Sequence, residues 1–145
     1  MTVIAEFDAP VERVWEVWAD PRKLEKWWGP PTWPATFHQF DFAEGGEAKY
    51  YMTGPEGEKA PGYWRFQVIE QGKRIRFDDG FADQEGNPDP NMPAMVMEMT
   101  LDAEEGRTRM TTVTKFNSID DLEQVLEMGM EEGMTSAMGQ IDALL

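Results

Sequence analysis

At 145 residues the chain suits a single domain, residues 1–145, with room for a real hydrophobic core. Its formal net charge of −15 argues against nucleic acid and against an anionic membrane surface as partners, since both call for basic side chains. Cysteine is absent, which removes disulfides and thiolate nucleophiles and fits a cytoplasmic protein.

The first strand is expected over Thr2 to Phe7, ended by Asp8-Ala9-Pro10. Val11, Val14, Trp15 and Trp18 then recur at the spacing of one helical face. Asp20-Pro21 reads as an N-cap followed by a proline at the first helical position. The second short helix carries Leu24, Trp27 and Trp28 and stops at Gly29-Pro30-Pro31. Thr32 to Phe42 reads as a strand whose apolar phase changes between Phe37 and Phe40, the mark of a bulge.

Glu44-Gly45-Gly46-Glu47 turns the chain into Ala48 to Thr53, with Ala48, Tyr50 and Met52 on one side. Gly54 to Pro61 reads as a polar loop. Tyr63 to Glu70 directs Trp64, Phe66 and Val68 one way, and Arg74 to Asp78 does the same with Ile75 and Phe77. Gly80 to Pro93 is rich in Gly, Pro, Asn and Asp and reads as a long loop, a lid or simply mobile. Ala94 to Leu101 alternates cleanly, with Met95, Met97, Met99 and Leu101 opposite Glu98 and Thr100. Arg107 to Phe116 is the last strand, with Met110, Thr112 and Thr114 on one side.

Ser118 to Leu145 reads as one long amphipathic helix. Ile119, Leu122, Leu126, Met130, Met134, Ala137, Ile141 and Leu144 follow one another at steps of three and four. Ser118 suits an N-cap, and Asp120 and Asp121 suit the positive end of the helix dipole. Gly129 and Gly133 interrupt the apolar face one turn apart, each at a cost of roughly 1 kcal/mol relative to Ala in a helix interior. Close packing of helix on sheet accounts for them; so does room for a ligand beneath the helix. A helix after a run of strands needs a sheet to cover, so the fold class is α+β, an antiparallel meander with one face under the helix.

Chemistry-bearing motifs are sparse. His38, the only histidine, falls on a strand's outer side. No nucleophilic triad, metal-ligand spacing or phosphate-binding glycine loop is present, so no catalytic residue, metal or other cofactor is expected. Glu98 faces solvent in this register; a slip by one residue would bury it.

Several motifs resemble the START/SRPBCC superfamily. They are Phe7-Asp8-Ala9-Pro10, Val14-Trp15, Asp20-Pro21, Leu24 and Trp27-Trp28-Gly29-Pro30, joined by Gly45-Gly46, Met52-Thr53-Gly54-Pro55-Glu56-Gly57 and Gly106-Arg107-Thr108-Arg109-Met110-Thr111. Within that superfamily the chain is similar to the domain related to the C-terminal part of the activator of the ninety-kilodalton heat-shock chaperone ATPase. It differs from many relatives in having Gly133-Met134 where they place Gly-Trp.

The resemblance implies a helix-grip fold, a curved antiparallel sheet wrapped around a long C-terminal helix with a cavity between them. The inward residues then become the expected lining: Trp64, Phe66, Ile75 and Phe77 from the middle strands, and Met95, Met97 and Met99 from the methionine strand. The helix would add Leu126, Gly129, Met130, Gly133, Met134 and Ala137. The expected function is binding of a small apolar or amphipathic molecule by a monomer or homodimer. Two alternatives stand beside it, a chaperone-interacting module and a cyclase- or hydrolase-type enzyme; the latter needs ionisable groups inside the cavity.

Overall fold

A computed structural model describes all 145 residues. In chain order it comprises β1 (Thr2–Phe7), α1 (Val11–Ala19), α2 (Pro21–Trp27), β2 (Ala35–Phe40), β3 (Glu47–Thr53), β4 (Lys59–Glu70), β5 (Arg74–Phe81), β6 (Ala94–Glu104), β7 (Arg107–Phe116), α3 (Ile119–Glu127) and α4 (Met130–Met138), then a 3-10 turn, Ile141–Leu144. The seven strands form one curved antiparallel sheet in the order β1-β7-β6-β5-β4-β3-β2. Consecutive strands are neighbours throughout, except that β1 closes onto β7, with Thr2 opposite Val113. All helices lie against one face, which is the helix-grip architecture.

Alternation decides which face is which. Ile75, Phe77, Met95, Met97, Met99 and Met110 are all buried, while Glu98 is half-exposed and paired with Arg74 at 3.3 Å. The register expected for β6 is therefore the observed one. In β7, Thr112 and Thr114 are buried as well.

α1 turns Val14, Trp15, Val17 and Trp18 inward. Trp18 packs on Phe77 and Trp27, and its indole N–H donates to the Met110 sulfur at 3.3 Å. The Asp20 carboxylate accepts from the Arg22 backbone N–H and caps α2, with Pro21 at the first helical position. α2 is fastened to α1 by the Trp27 indole N–H, which donates to the Val17 carbonyl at 2.7 Å. It also docks on the bulge in β2, where the register shifts between Phe37 and Gln39. There Phe37 N–H donates to Glu25 and its carbonyl accepts from Arg22, so two side chains of α2 satisfy backbone groups on the open edge of this outermost strand.

Four expectations need correction. The C-terminal segment is two helices, not one. Gly129 sits between them at φ +82°, a left-handed conformation that glycine adopts without a Cβ penalty. Gly129 therefore bears no helix-interior cost. The break changes the phase of the apolar stripe: Val125 is the buried residue of α3, whereas Leu126 is 37 % exposed and Ile119 73 %. Second, a bulge between Phe66 and Val68 reverses β4, so Ile69, opposite Ile75, packs on the core in place of Val68. Third, β4 begins at Lys59, which shortens the loop after Gly54, and β5 runs on to Phe81. Fourth, the strand expected from Thr32 begins at Ala35.

A cavity with one buried carboxyl

Under the C-terminal helices the sheet face is not filled. A cavity of about 420 Å³ remains, within the roughly 300–1,000 Å³ common for small-molecule pockets. Three parts of the fold wall it. The α2–β2 connection gives Trp28, Gly29, Pro30 and Trp33; strands β3 to β6 give Tyr50, Met52, Ala60, Asp79, Gly80, Phe81 and Met95. α3, α4 and the joint between them give Val125, Met128, Gly129, Met130, Gly133, Met134 and Ala137. Gln140, just beyond α4, ties the helical wall to the connection by donating to the Gly29 carbonyl at 2.9 Å.

Gly133 decides between the two accounts of the helix glycines. A Cβ built there would meet nothing within 4 Å. The sheet does not fill that gap; the cavity does.

Of the expected lining, Met95, Gly129, Met130, Gly133, Met134 and Ala137 are brought together around this space. Trp64, Phe66, Ile75, Phe77, Met97 and Met99 are elsewhere, in the dry part of the core. Helix α1 covers β6 and β7, so the inward rows of the sheet are shared between a packed half and a hollow half. Leu126 points away because of the phase change at Gly129. The loop from Asp83 to Pro93 takes no part in the lining. It is held by its own turn, in which the Asp83 carboxylate accepts from the backbone of Glu85 and Asn87. His38 is exposed and stacks on Tyr51.

The residue that sequence reading missed is Asp79. It continues the inward row Ile75-Phe77 by one more step of two, and ending the strand at Asp78 hid it. It is 4 % exposed, the only buried carboxyl in the protein, and no Lys, Arg or His is buried with it. Burial pushes its carboxyl up to about 7, with Trp64 and Tyr50 pulling it part of the way back. Trp64 approaches without completing the arrangement: its indole nitrogen, like that of Trp28, is buried with no hydrogen-bond partner. Tyr50 is raised well above its ordinary value, first by burial and then by the charge of Asp79. Its phenol has space because residue 62 is glycine; a Cβ there would collide with the ring.

No Lys or Arg lines the cavity. A carboxyl with these surroundings exists in both protonation states near neutrality. Protonated, it can donate a hydrogen bond; ionised, it is a buried negative charge with no cation in the wall to balance it.

Solved structures of the same shape are numerous. A protein of Arthrobacter aurescens is 52 % identical, with a TM-score of 0.95 over 99 % of this chain and 83 % of its own. One of Mycobacterium smegmatis is 48 % identical, with a TM-score of 0.91 over 99 % of this chain and 88 % of its own. A Staphylococcus epidermidis protein is 26 % identical, with a TM-score of 0.88 over 100 % and 88 % of the two chains. No functionally curated protein matches. No helix is long and apolar enough to cross a membrane. The sequence pattern of the activator of Hsp90 ATPase homolog 1-like proteins matches residues 8–145, and the chain belongs to that family.

Proposed function

We propose that the protein binds a small apolar or amphipathic molecule in the cavity between the sheet and α3–α4. The observation that carries this reading is the hollow itself. Twelve of its eighteen lining residues are hydrophobic, and an open space lies above Gly133 where a side chain would fit. An unfilled volume in a core forfeits packing contacts and is destabilising, so a fold that keeps one this large is suited to filling it with something else. Methionines at Met52, Met95, Met130 and Met134 give the wall a surface that re-packs around different shapes. Mass spectrometry of the natively purified protein, followed by titration with the neutral apolar fluorophore N-phenyl-1-naphthylamine, tests the reading. A retained small molecule, or saturable one-to-one uptake of the probe, is expected. A protein that carries nothing and takes up no probe contradicts it.

The family supports a second reading, that the partner is the ninety-kilodalton chaperone. Co-purification with that chaperone and stimulation of its ATPase are the expected results on this reading; an unstimulated ATPase and no association count against it.

A further inference from the structure

We propose that the cavity selects amphipathic amines, seating a cationic head against Asp79 among the aromatic rings and an apolar tail against Met128, Met130 and Met134 of the helical wall. The inference rests on the cavity being a binding site, and adds the chemical class of what it holds.

Asp79 supplies the first reason. A carboxylate taken out of water is costly unless it is paired, and every other wall residue is uncharged. The groups facing it can be named element by element. Tyr50 on β3 and Trp64 on β4 are its inner-face neighbours, and Tyr63 on β4 senses it from the adjacent register position. Met95 lies opposite on β6. The helical wall offers Val125, Met128, Gly129, Met130 and Met134, none of which titrates. The countercharge is therefore missing from the protein and has to come with the ligand or be replaced by a proton.

The rings supply the second reason. Trp28 stands edge-on to Tyr50 at 6.2 Å and to Trp64 at 4.8 Å, and Trp33 and Phe81 complete the aromatic part of the wall. Aromatic faces attract cations and repel anions, most strongly where water is excluded. A hydroxyl could also reach Asp79, but only a cation uses both the carboxylate and the rings. The protein's net charge of −15 draws cations from solution in addition.

The experiment is displacement of N-phenyl-1-naphthylamine by three molecules of equal chain length, octylamine, 1-octanol and octanoate, at physiological salt. At pH 8 the amine is protonated and the carboxyl ionised. Octylamine should displace the probe at roughly tenfold lower concentration than 1-octanol, the difference expected of one charge-assisted contact, with octanoate weakest. In Asp79→Asn the ratio of octylamine to octanol should fall several-fold, leaving only what the rings and the net charge contribute. Should that variant fail to fold, the wild-type protein at pH 5.5 serves instead, where the neutral carboxyl should remove most of the preference. Attraction by overall charge alone would survive Asp79→Asn, because the substitution changes the net charge by one unit; a preference that survives undiminished therefore overturns the proposal. So does equal displacement by the three molecules, or octanoate acting best. Absence of any probe uptake overturns the binding reading itself, and is distinguishable from these outcomes.

Discussion

Trp18 and Met134 look onto the same face of the same sheet, and meet opposite conditions. Around Trp18 the face is filled. Trp27, Trp64 and Phe77 lie within 4.7–6.3 Å of its ring, all are nearly inaccessible, and the indole N–H has found a sulfur. Around Met134 the face is hollow, Gly133 leaves a gap, and Met128 is 53 % exposed on the solvent side. The packed half contains tryptophans held on α1 and on α2, which Asp20 caps, with a strand bulge beneath. The hollow half contains flexible methionines on α4 and in the joint before it, where a left-handed glycine links α3 to α4. Stability is concentrated in one half, which frees the other to keep a cavity and a badly solvated carboxyl.

The largest expected effect is on the packed half. Trp18→Ala should cost about 3–5 kcal/mol in chemical denaturation, as truncation of a buried aromatic does. A loss below about 1 kcal/mol would mean that the two halves are packed alike and that the contrast is false.

Asp79→Asn probes the hollow half in the opposite direction. The folded state holds the proton on Asp79 up to about pH 7, whereas the unfolded chain releases it near its ordinary 3.8. The cost of the carboxylate is therefore absent below about pH 4, grows as pH rises, and levels off above about 7. That span corresponds to at most about 4 kcal/mol. Relative to the wild type, Asp79→Asn should gain stability progressively from pH 4 to pH 7.5. The difference between the two proteins removes the background titration of the other carboxylates. A difference that stays flat with pH would place Asp79 in water.

Gly129→Ala tests the joint between α3 and α4. A Cβ there meets nothing, so only the left-handed backbone resists it, by about 1 kcal/mol. A stabilised variant would restore the continuous helix that periodicity implied.

That joint also shows where sequence reading reaches its limit. The strands were legible because side-chain alternation reports a face directly: Arg107 to Phe116 is β7 residue for residue, and Asp20-Pro21 announces α2 through a cap that the structure makes. Steps of three and four tolerate a one-residue break, however, so the apolar stripe through Gly129 looked continuous. Gly129 carried the information, but its backbone angle did not. The cavity wall divided in the same way. Met95, Met130 and Met134 were visible as inward residues, yet whether an inward residue meets a helix or a void depends on where α1 lies, which alternation does not encode. Asp79 was one step beyond a strand end placed too early, at an acidic pair that resembles a turn.

The smallest change in stability carries the largest consequence for function. Gly133→Leu replaces a helix-interior glycine with a better helix former and directs the new side chain into empty space, so its stability should be unchanged or slightly higher. Titration of this variant with N-phenyl-1-naphthylamine, beside the wild type, is the most direct measurement of the central claim. The account predicts a folded protein whose affinity for the probe has fallen at least tenfold, because the leucine occupies the cavity. A Gly133→Leu protein that is folded and binds the probe as the wild type does would contradict it.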